Sequence, residues 1–321
     1  MALRLLYRLL CRWLRLASWF YFREVRVTGL HRIPKTGPVL FAANHQNSFL
    51  DAVLIATRVD RPIHFLVRSD VFRKPWARKV LHALNMMPVF RLRDGWNTLS
   101  RNAESFSRCT EIWMHGGAVL IFPEGNHSFQ RRLRPLSRGF TKPLMQTLDR
   151  CPGIDIKVVP VGLNFTAHAS ARSGVHVIFG EVIAVQDHCT AGGLDANGLR
   201  NELAAAMRGL VTHIGDTDGY DSIIRTLEEK GADYMDPDTM NRRIAEIGSG
   251  QTPEPHPSWG PDGISSTVIR LVHHPVLFFW RRFIVLFRDP MFVGSVKFVF
   301  AAFVVPLYYA LIGALLWWTL G

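Results

Sequence analysis

The feature that most limits what this chain can become is its run from Phe298 to Gly321, FVFAAFVVPLYYALIGALLWWTLG, 24 residues without Lys, Arg, His, Asp or Glu. A helix rises about 1.5 Å per residue, so the run is long enough for a hydrocarbon layer of about 30 Å. Inside lipid every backbone N–H and C=O needs a partner within the protein, which leaves a helix as the expected form. Pro306 leaves a kink or a re-entrant hairpin open, so residues 268–321 hold one span or two. Arg281, Arg282, Arg288 and Lys297 lie before the run beside Phe278, Phe279 and Trp280. The positive-inside bias then predicts that everything N-terminal to residue 298 faces the cytoplasm.

Charge narrows the partners. The 321 residues carry 38 Lys+Arg against 26 Asp+Glu, a formal charge of +12, with 48% hydrophobic residues. Such a chain is not disordered, and it calls for an anionic partner, nucleic acid or anionic lipid. The opening stretch decides for lipid. Arg4, Arg8, Arg12 and Arg15 recur among Leu5, Leu6, Leu9, Leu10, Trp13 and Leu14, the pattern of a basic amphipathic helix over residues 1–22 that docks on a membrane surface. Arginine recurring through the segment excludes the uninterrupted apolar core of a signal peptide. No nucleic-acid partner is expected. Cys11, Cys109, Cys151 and Cys189 are scattered, without a CxxC pair, and neither His188-Cys189 nor His273-His274 has the spacing of metal ligands. We therefore expect a reducing compartment and no metal site.

From residue 23 to 215 short β-branched or aromatic runs alternate with helix-like stretches. Strands are expected at 38–43, 63–68, 86–90, 118–123, 156–165 and 175–183, and helices near 49–58, 73–84, 98–115, 137–149 and 198–214. Several strands are apolar throughout, which predicts an α/β fold with a mainly parallel central sheet flanked by helices. Residues 216–247 read as an acidic helical insert, a solvated lid or spacer. Residues 248–266, rich in Gly, Pro and Ser, read as a linker to the juxtamembrane and transmembrane region at 267–321.

Chemistry gathers where strands end. FAANHQNSFLDAV at 41–53 sets an Asn-His pair after an apolar run and a carboxylate six residues past the histidine. On one straight helix His45 and Asp51 would lie about 240° apart, so a pair requires the histidine in a turn and the aspartate in the first turns of the next helix. Alone, the two read rather as a strand terminus and a cap. AVLIFPEGNHSF at 118–129 brings Glu124 and Gly125 to a second strand end, MMPVFRLRDG at 86–95 brings Arg91 and Arg93, and VVPVGLNF at 158–165 brings Pro160 and Gly162. Ligands of open α/β sheets collect at that edge.

These four blocks, in this order, resemble the glycerophospholipid acyltransferases of the bacterial lysophosphatidic acid acyltransferase type, over residues 20 to 215. The matching positions are Asn44-His45 with Asp51, Phe90-Arg91, Phe122-Pro123-Glu124-Gly125 and Val159-Pro160-Val161. The five residues between His45 and Asp51, where four are usual, resemble the branch with fungal glycerol-3-phosphate acyltransferases. Asn126-His127-Ser128 stands where Thr-Arg-Ser is common, so Arg131, Arg132, Arg134 or Arg138 is expected to supply that cation. The resemblance implies His45 as general base, Asp51 as its orienting carboxylate, and Asn44, Arg91, Arg93, Glu124, Gly125 and Pro160 as substrate-binding residues. Arg91 would hold the acceptor's phosphate and Glu124 orient an arginine or a glycerol hydroxyl. It also implies a membrane enzyme moving a fatty acyl group from acyl-CoA or acyl-carrier protein, with no cofactor, to 1-acyl-glycerol-3-phosphate, the alternative acceptor being glycerol 3-phosphate. The catalytic domain would face the cytoplasm, at a bacterial inner membrane. The reading from another class is an inactive, membrane-anchored lipid-binding or scaffold protein.

Overall fold

A computed structural model describes residues 2–90, 102–215, 217–255, 274–285, 287 and 289–320. In chain order the elements are α1 (Ala2–Tyr21), β1 (Glu24–Thr28), β2 (Val39–Ala43), α2 (Phe49–Ala56), β3 (Ile63–Arg68), α3 (Pro75–Ala83), β4 (Met86–Val89), α4 (Asn102–Met114), β5 (Ala118–Ile121), α5 (Lys142–Arg150), β6 (Lys157–Phe165), β7 (Gly174–Phe179) and β8 (Ile183–Ala184). A two-stranded hairpin, β9 (Cys189–Thr190) and β10 (Gly193–Leu194), leads to α6 (Ala196–Leu210), α7 (Tyr220–Glu229), α8 (Pro237–Gly248), α9 (His274–Ile284) and α10 (Val293–Leu320).

The main sheet runs β1-β7-β6-β2-β5-β3-β4, with β8 also on β6. Its pairings are parallel except those of β6 with β7 and with β8. The mainly parallel sheet is as expected, although one strand is new: Glu24–Thr28 lies on the edge beside β7. The stretch at 175–183 is not one strand, because the chain breaks between Phe179 and Ile183 to turn back onto β6.

Alternation along the strands sorts the core into two layers, since successive side chains leave a strand on opposite faces. Val39, Phe41 and Ala43 of β2 join Leu120, Val159 and Val161 under α1, α2 and the first turns of α10. Leu40 and Ala42 join Val119 and Val158 under α4, α5 and α6. β2 is buried along its whole length, which is why its sequence is an unbroken apolar run. Its carboxyl end delivers residues 44–48 to one rim of the molecule.

The acidic stretch is not a solvated lid. α7 and α8 bury Leu227, Tyr234 and Met240 with Ile214 in a small core of their own. Arg131 reaches across to stack its guanidinium 3.3 Å from the centre of the Tyr234 ring, and Met235 O bonds His176 Nδ1 at 2.6 Å. A few well-placed apolar residues suffice to seat the pair, and the acids cover the outside. The expected linker begins later than α8, which runs to Gly248; residues 256–266 fall outside the described residues.

α10 is one continuous helix rather than a hairpin, and Val293–Thr319 is long and apolar enough to cross a membrane. Pro306 sits inside it, and proline withholds the N–H that the carbonyl four residues earlier would accept. That carbonyl belongs to Ala302, and the indole Nε1–H of Trp13 donates to it at 3.1 Å. α1 therefore satisfies the defect in α10. Leu14 and Tyr21 of α1 are buried beneath the helix, while Leu9, Trp13, Leu16, Trp19 and Phe20 stay exposed alongside Arg8, Arg12 and Arg15.

Candidate active site

Beyond β2 the chain must turn sharply before α2. Asn44 prolongs the sheet with its side chain: Nδ2 donates to Leu163 O at 3.0 Å and Oδ1 accepts the Leu163 N–H at 2.7 Å. Both ends of the buried amide are consumed by β6. Asn44 therefore fixes the strand end, and its buried side chain acts on the site chiefly by holding β2 to β6. Ser48 then takes φ 47, ψ −127, a conformation costly for a residue with a side chain. The reversal at Ser48 puts Asp51 in the first turn of α2 directly behind His45, so the bend required by the six-residue spacing is present.

The imidazole Nδ1 lies 2.8 Å from Asp51 Oδ2. Oδ2 also accepts the backbone N–H groups of Gln46 at 2.9 Å and Asn47 at 2.7 Å. An oxygen receiving three donors can only accept, so the proton on the ring belongs to Nδ1 and Nε2 carries the lone pair. The Asp51 side chain is fully buried and that of His45 is 16% exposed. Burial pushes the Asp51 carboxyl above the ordinary carboxylate range, and the imidazole and two amide N–H groups oppose that rise. The ring itself is held flat against Phe122, centroids 3.9 Å apart and 13° between planes.

Glu124 supports the histidine from its backbone. Its Oε1 accepts the His45 N–H at 3.1 Å, and His45 O accepts the Ser128 N–H at 3.0 Å. Oε2 accepts Nε of Arg134 at 2.6 Å, and the rest of that guanidinium donates to the side chain and the carbonyl of Asn126. Burial pushes the Glu124 carboxyl up, and Arg134 is the main influence holding it down. Of the four arginines expected near this turn, Arg134 is the one beside Glu124. Arg131 instead is buried and donates to Phe165 O and Thr166 O, a structural clamp. Gly125 has φ +77 and open space where a Cβ would stand. A side chain there would be strained and would fill the opening beside Glu124.

Arg91 and Arg93 lie outside the described residues. Pro160 sits within β6 opposite Ala42, buried in the sheet, its carbonyl accepting the Gly180 N–H at 2.8 Å. It shapes the strand beneath the site.

The sequence did not point to the contribution of α10. Ser295, 3% exposed, donates its hydroxyl to Asn47 O at 2.6 Å and accepts the Leu50 N–H at 2.9 Å. Ser48 Oγ donates to Met291 O at 3.3 Å. A Cβ on Gly294 would stand 2.4 Å from His168 O and 2.5 Å from Asn47 Oδ1, so only glycine lets the helix come this close. The one available signal was the Gly-Ser pair interrupting an apolar run. His127 completes the wall: its ring meets His45 edge-on at 5.4 Å and Phe292 at 5.1 Å. Burial lowers its pKa to about 4, so it is neutral at pH 7.

Residues 24–164, which contain His45, Asp51 and Glu124, match the model of the Acyltransferase family. That stretch is similar to acyltransferases of the glycerophospholipid type. Relatives include glycerol-3-phosphate O-acyltransferase 1 of Saccharomyces cerevisiae, 21% identical over 53% of this chain and 34% of that protein. A chloroplastic 1-acyl-sn-glycerol-3-phosphate acyltransferase of Arabidopsis thaliana is 24% identical over 58% and 48%. An uncharacterized acyltransferase of Schizosaccharomyces pombe is 32% identical over 54% and 38%. The chain thus spans between a third and a half of the length of these curated relatives. Among solved structures, the 1-acyl-sn-glycerophosphate acyltransferase of Thermotoga maritima aligns with a TM-score of 0.49 at 21% identity, covering 65% of this chain and 80% of that one.

Proposed function

We propose that the protein is a membrane-bound O-acyltransferase that moves a fatty acyl group from a thioester to a hydroxyl of a glycerol-phosphate acceptor in phospholipid synthesis. The observation that carries this reading is the His45–Asp51 pair with Nε2 turned free, inside a family domain whose relatives include acyltransferases of that substrate class. His45 Nε2 takes the proton of the acceptor hydroxyl, and the oxygen attacks the thioester carbonyl. The tetrahedral oxyanion collapses with loss of the C–S bond, and the imidazolium returns its proton to the leaving thiolate. Asp51 stabilises the imidazolium and keeps Nδ1 protonated throughout. The N–H groups of Gln46 and Asn47 are held by Asp51, so the oxyanion must find its donors elsewhere. Arg91 and Arg93 are assigned to the acceptor's phosphate because guanidinium forks suit phosphoryl oxygens.

The first acceptor to expect is 1-acyl-glycerol-3-phosphate, with glycerol 3-phosphate second; both kinds of relative match. Acyl-CoA or acyl-carrier protein would be the donor, without a resident cofactor. The apolar length of α10 and the exposed aromatics and arginines of α1 support membrane attachment. Arg281 and Arg282 before the span, with Lys297 in its first turns, favour the cytoplasmic face, at a bacterial inner membrane on the family type that the sequence resembles. Purified protein in detergent, given radiolabelled acyl-CoA or acyl-carrier protein with glycerol 3-phosphate, lysophosphatidic acid or lysophospholipids in parallel, tests the reading. Ester product with the wild type and none with His45→Ala is the expected result. Full activity in His45→Ala, or no product from any pair in the wild type, would overturn it.

A further inference from the structure

The surroundings of His45 are divided by polarity. On the side of its backbone stand Glu124, Arg134 and Asn126, joined by charged hydrogen bonds. On the side of its ring the contacts pass to His127 and then to Phe292, two ring contacts away. Phe292 is also a wall of a cavity of about 300 Å³ between the start of α2 and the C-terminal helices. Phe49, Phe283, Val299, Phe300 and Val304 make up much of the rest of its lining. Ser295 is the polar residue at its edge, and its hydroxyl is already committed to Asn47 and Leu50. Among the described residues the cavity therefore offers no partner to a phosphate, a sugar or a nucleotide, and it suits a hydrocarbon chain.

We propose that this cavity holds the hydrocarbon tail of the acyl thioester and that α10 sets which chain lengths are transferred. The proposal rests on the acyl-transfer reading for the identity of the substrate. A thioester whose carbonyl is attacked beside His45 Nε2 must send its tail away from the polar wall that an anionic acceptor requires. The apolar cavity begins at Phe292, whose ring meets His127 at 5.1 Å as His127 in turn meets His45 at 5.4 Å, so it lies on the apolar side of that position. The remaining wall residues other than Phe49 lie between 283 and 304, outside the matched family domain at 24–164. The fitting of the tail is thus a property of this chain's C-terminal helices, and relatives lacking them must bound the chain differently. α10 presents the cavity on a helix otherwise almost wholly unburied, so a tail can enter sideways from the layer in which the helix lies.

The test uses the full-length protein in detergent. Val299→Phe and Val304→Phe push side-chain bulk into the cavity and shrink it, and Phe300→Ala enlarges it. With acyl-CoAs from eight to eighteen carbons, the phenylalanine variants should lose about ten-fold or more in kcat/KM for the longest chains and about two-fold or less for the shortest, in line with pocket discrimination of 1–3 kcal/mol. Phe300→Ala should move the optimum toward longer chains. Equal losses at every length would overturn the proposal, since they mean general damage. A binding measurement separates this idea from the functional reading. An acyl-CoA with a photoreactive group at the tail end should label peptides spanning 292–304, and a diacyl phospholipid carrying the same group should not compete for it. Labelling without turnover would keep the cavity and discard the acyltransferase; turnover with labelling elsewhere, or labelling by the phospholipid alone, would discard the cavity.

Discussion

Replacing Ser295 by Ala asks whether a helix some 245 residues further along the chain takes part in positioning the base. The hydroxyl makes two buried hydrogen bonds, to Asn47 O and from the Leu50 N–H. Each is worth about 0.5–1.5 kcal/mol net. Leu50 N–H and Asn47 O also bond each other at 3.0 Å, so neither is wholly orphaned. The loss should therefore be about 1–2 kcal/mol rather than the larger penalty of a stranded polar group. It falls on a turn already carrying the cost of Ser48, about 1–3 kcal/mol, which only surrounding contacts sustain. Once the turn relaxes, the Nδ1–Oδ2 distance and the direction of Nε2 change together. At about tenfold per 1.4 kcal/mol, kcat should fall roughly 5–30-fold, while KM for the acyl donor, which touches neither atom, changes about two-fold or less. Initial rates from thiol release, with thermal unfolding measured alongside, read both quantities. Thr319→Ala, near the far end of the same helix, serves as control and should match the wild type. If kcat for Ser295→Ala stays within two-fold of wild type, the argument that α10 positions His45 is wrong. So is it if KM rises in proportion to the loss.

Asp51→Asn should lower kcat by about 10³–10⁴, because a carboxamide can no longer accept all three N–H groups and the ring loses its fixed tautomer; donor-release kinetics with retained near-ultraviolet circular dichroism would check it. Glu124→Gln leaves Arg134 without its charge partner and should cost about 2–4 kcal/mol of stability, read as a shift in denaturation midpoint, with an unchanged midpoint counting against the pair's structural role. Burial lowers the pKa of His168 to about 3, from an ordinary 6.5. Between those values the unfolded chain binds the proton and the folded one does not, so stability is present above pH 6.5 and is lost as pH falls. From pH 7 to 5 this one group should remove about 2 kcal/mol. His168→Gln should flatten that slope in thermal melts run across the range, and an unchanged slope would reject the assignment.

What could be read from the sequence was what periodicity or adjacency encodes. β2, β5 and β6 are apolar on both faces, and unbroken runs such as VLFAA have few other uses. β1 escaped because EVRVT is short, half-charged and only partly buried at the sheet's edge. α7 and α8 were misjudged because Leu227, Tyr234 and Met240 are few among many acids, and only their convergence with Ile214 makes a core. At the site, His45 and Asp51 are six residues apart, so the required bend could be worked out from helix geometry. The tie between the Asn44 amide and Leu163 spans 119 residues, and nothing next to Asn44 in the chain marks it. Which arginine serves Glu124 depends on the fold of residues 126–134, and no spacing rule distinguishes Arg134 from Arg131. Ser295 is adjacent to Asn47 only in three dimensions, and nothing local marks that contact.

The bond from Trp13 to Ala302 has a consequence for how the two ends of the chain depend on each other. With α10 in a bilayer, the freed carbonyl lies about 14 Å along the helix from Val293, beyond the reach of bulk water. An indole from α1 is what quiets it, so α1 cannot slide freely over a lipid surface. It is moored at one depth, and the face bearing Leu9, Leu16, Trp19 and Phe20 is moored with it. A chain shorn of its first twenty residues would keep its base, its carboxylate and its sheet, yet would carry an unanswered carbonyl into hydrocarbon.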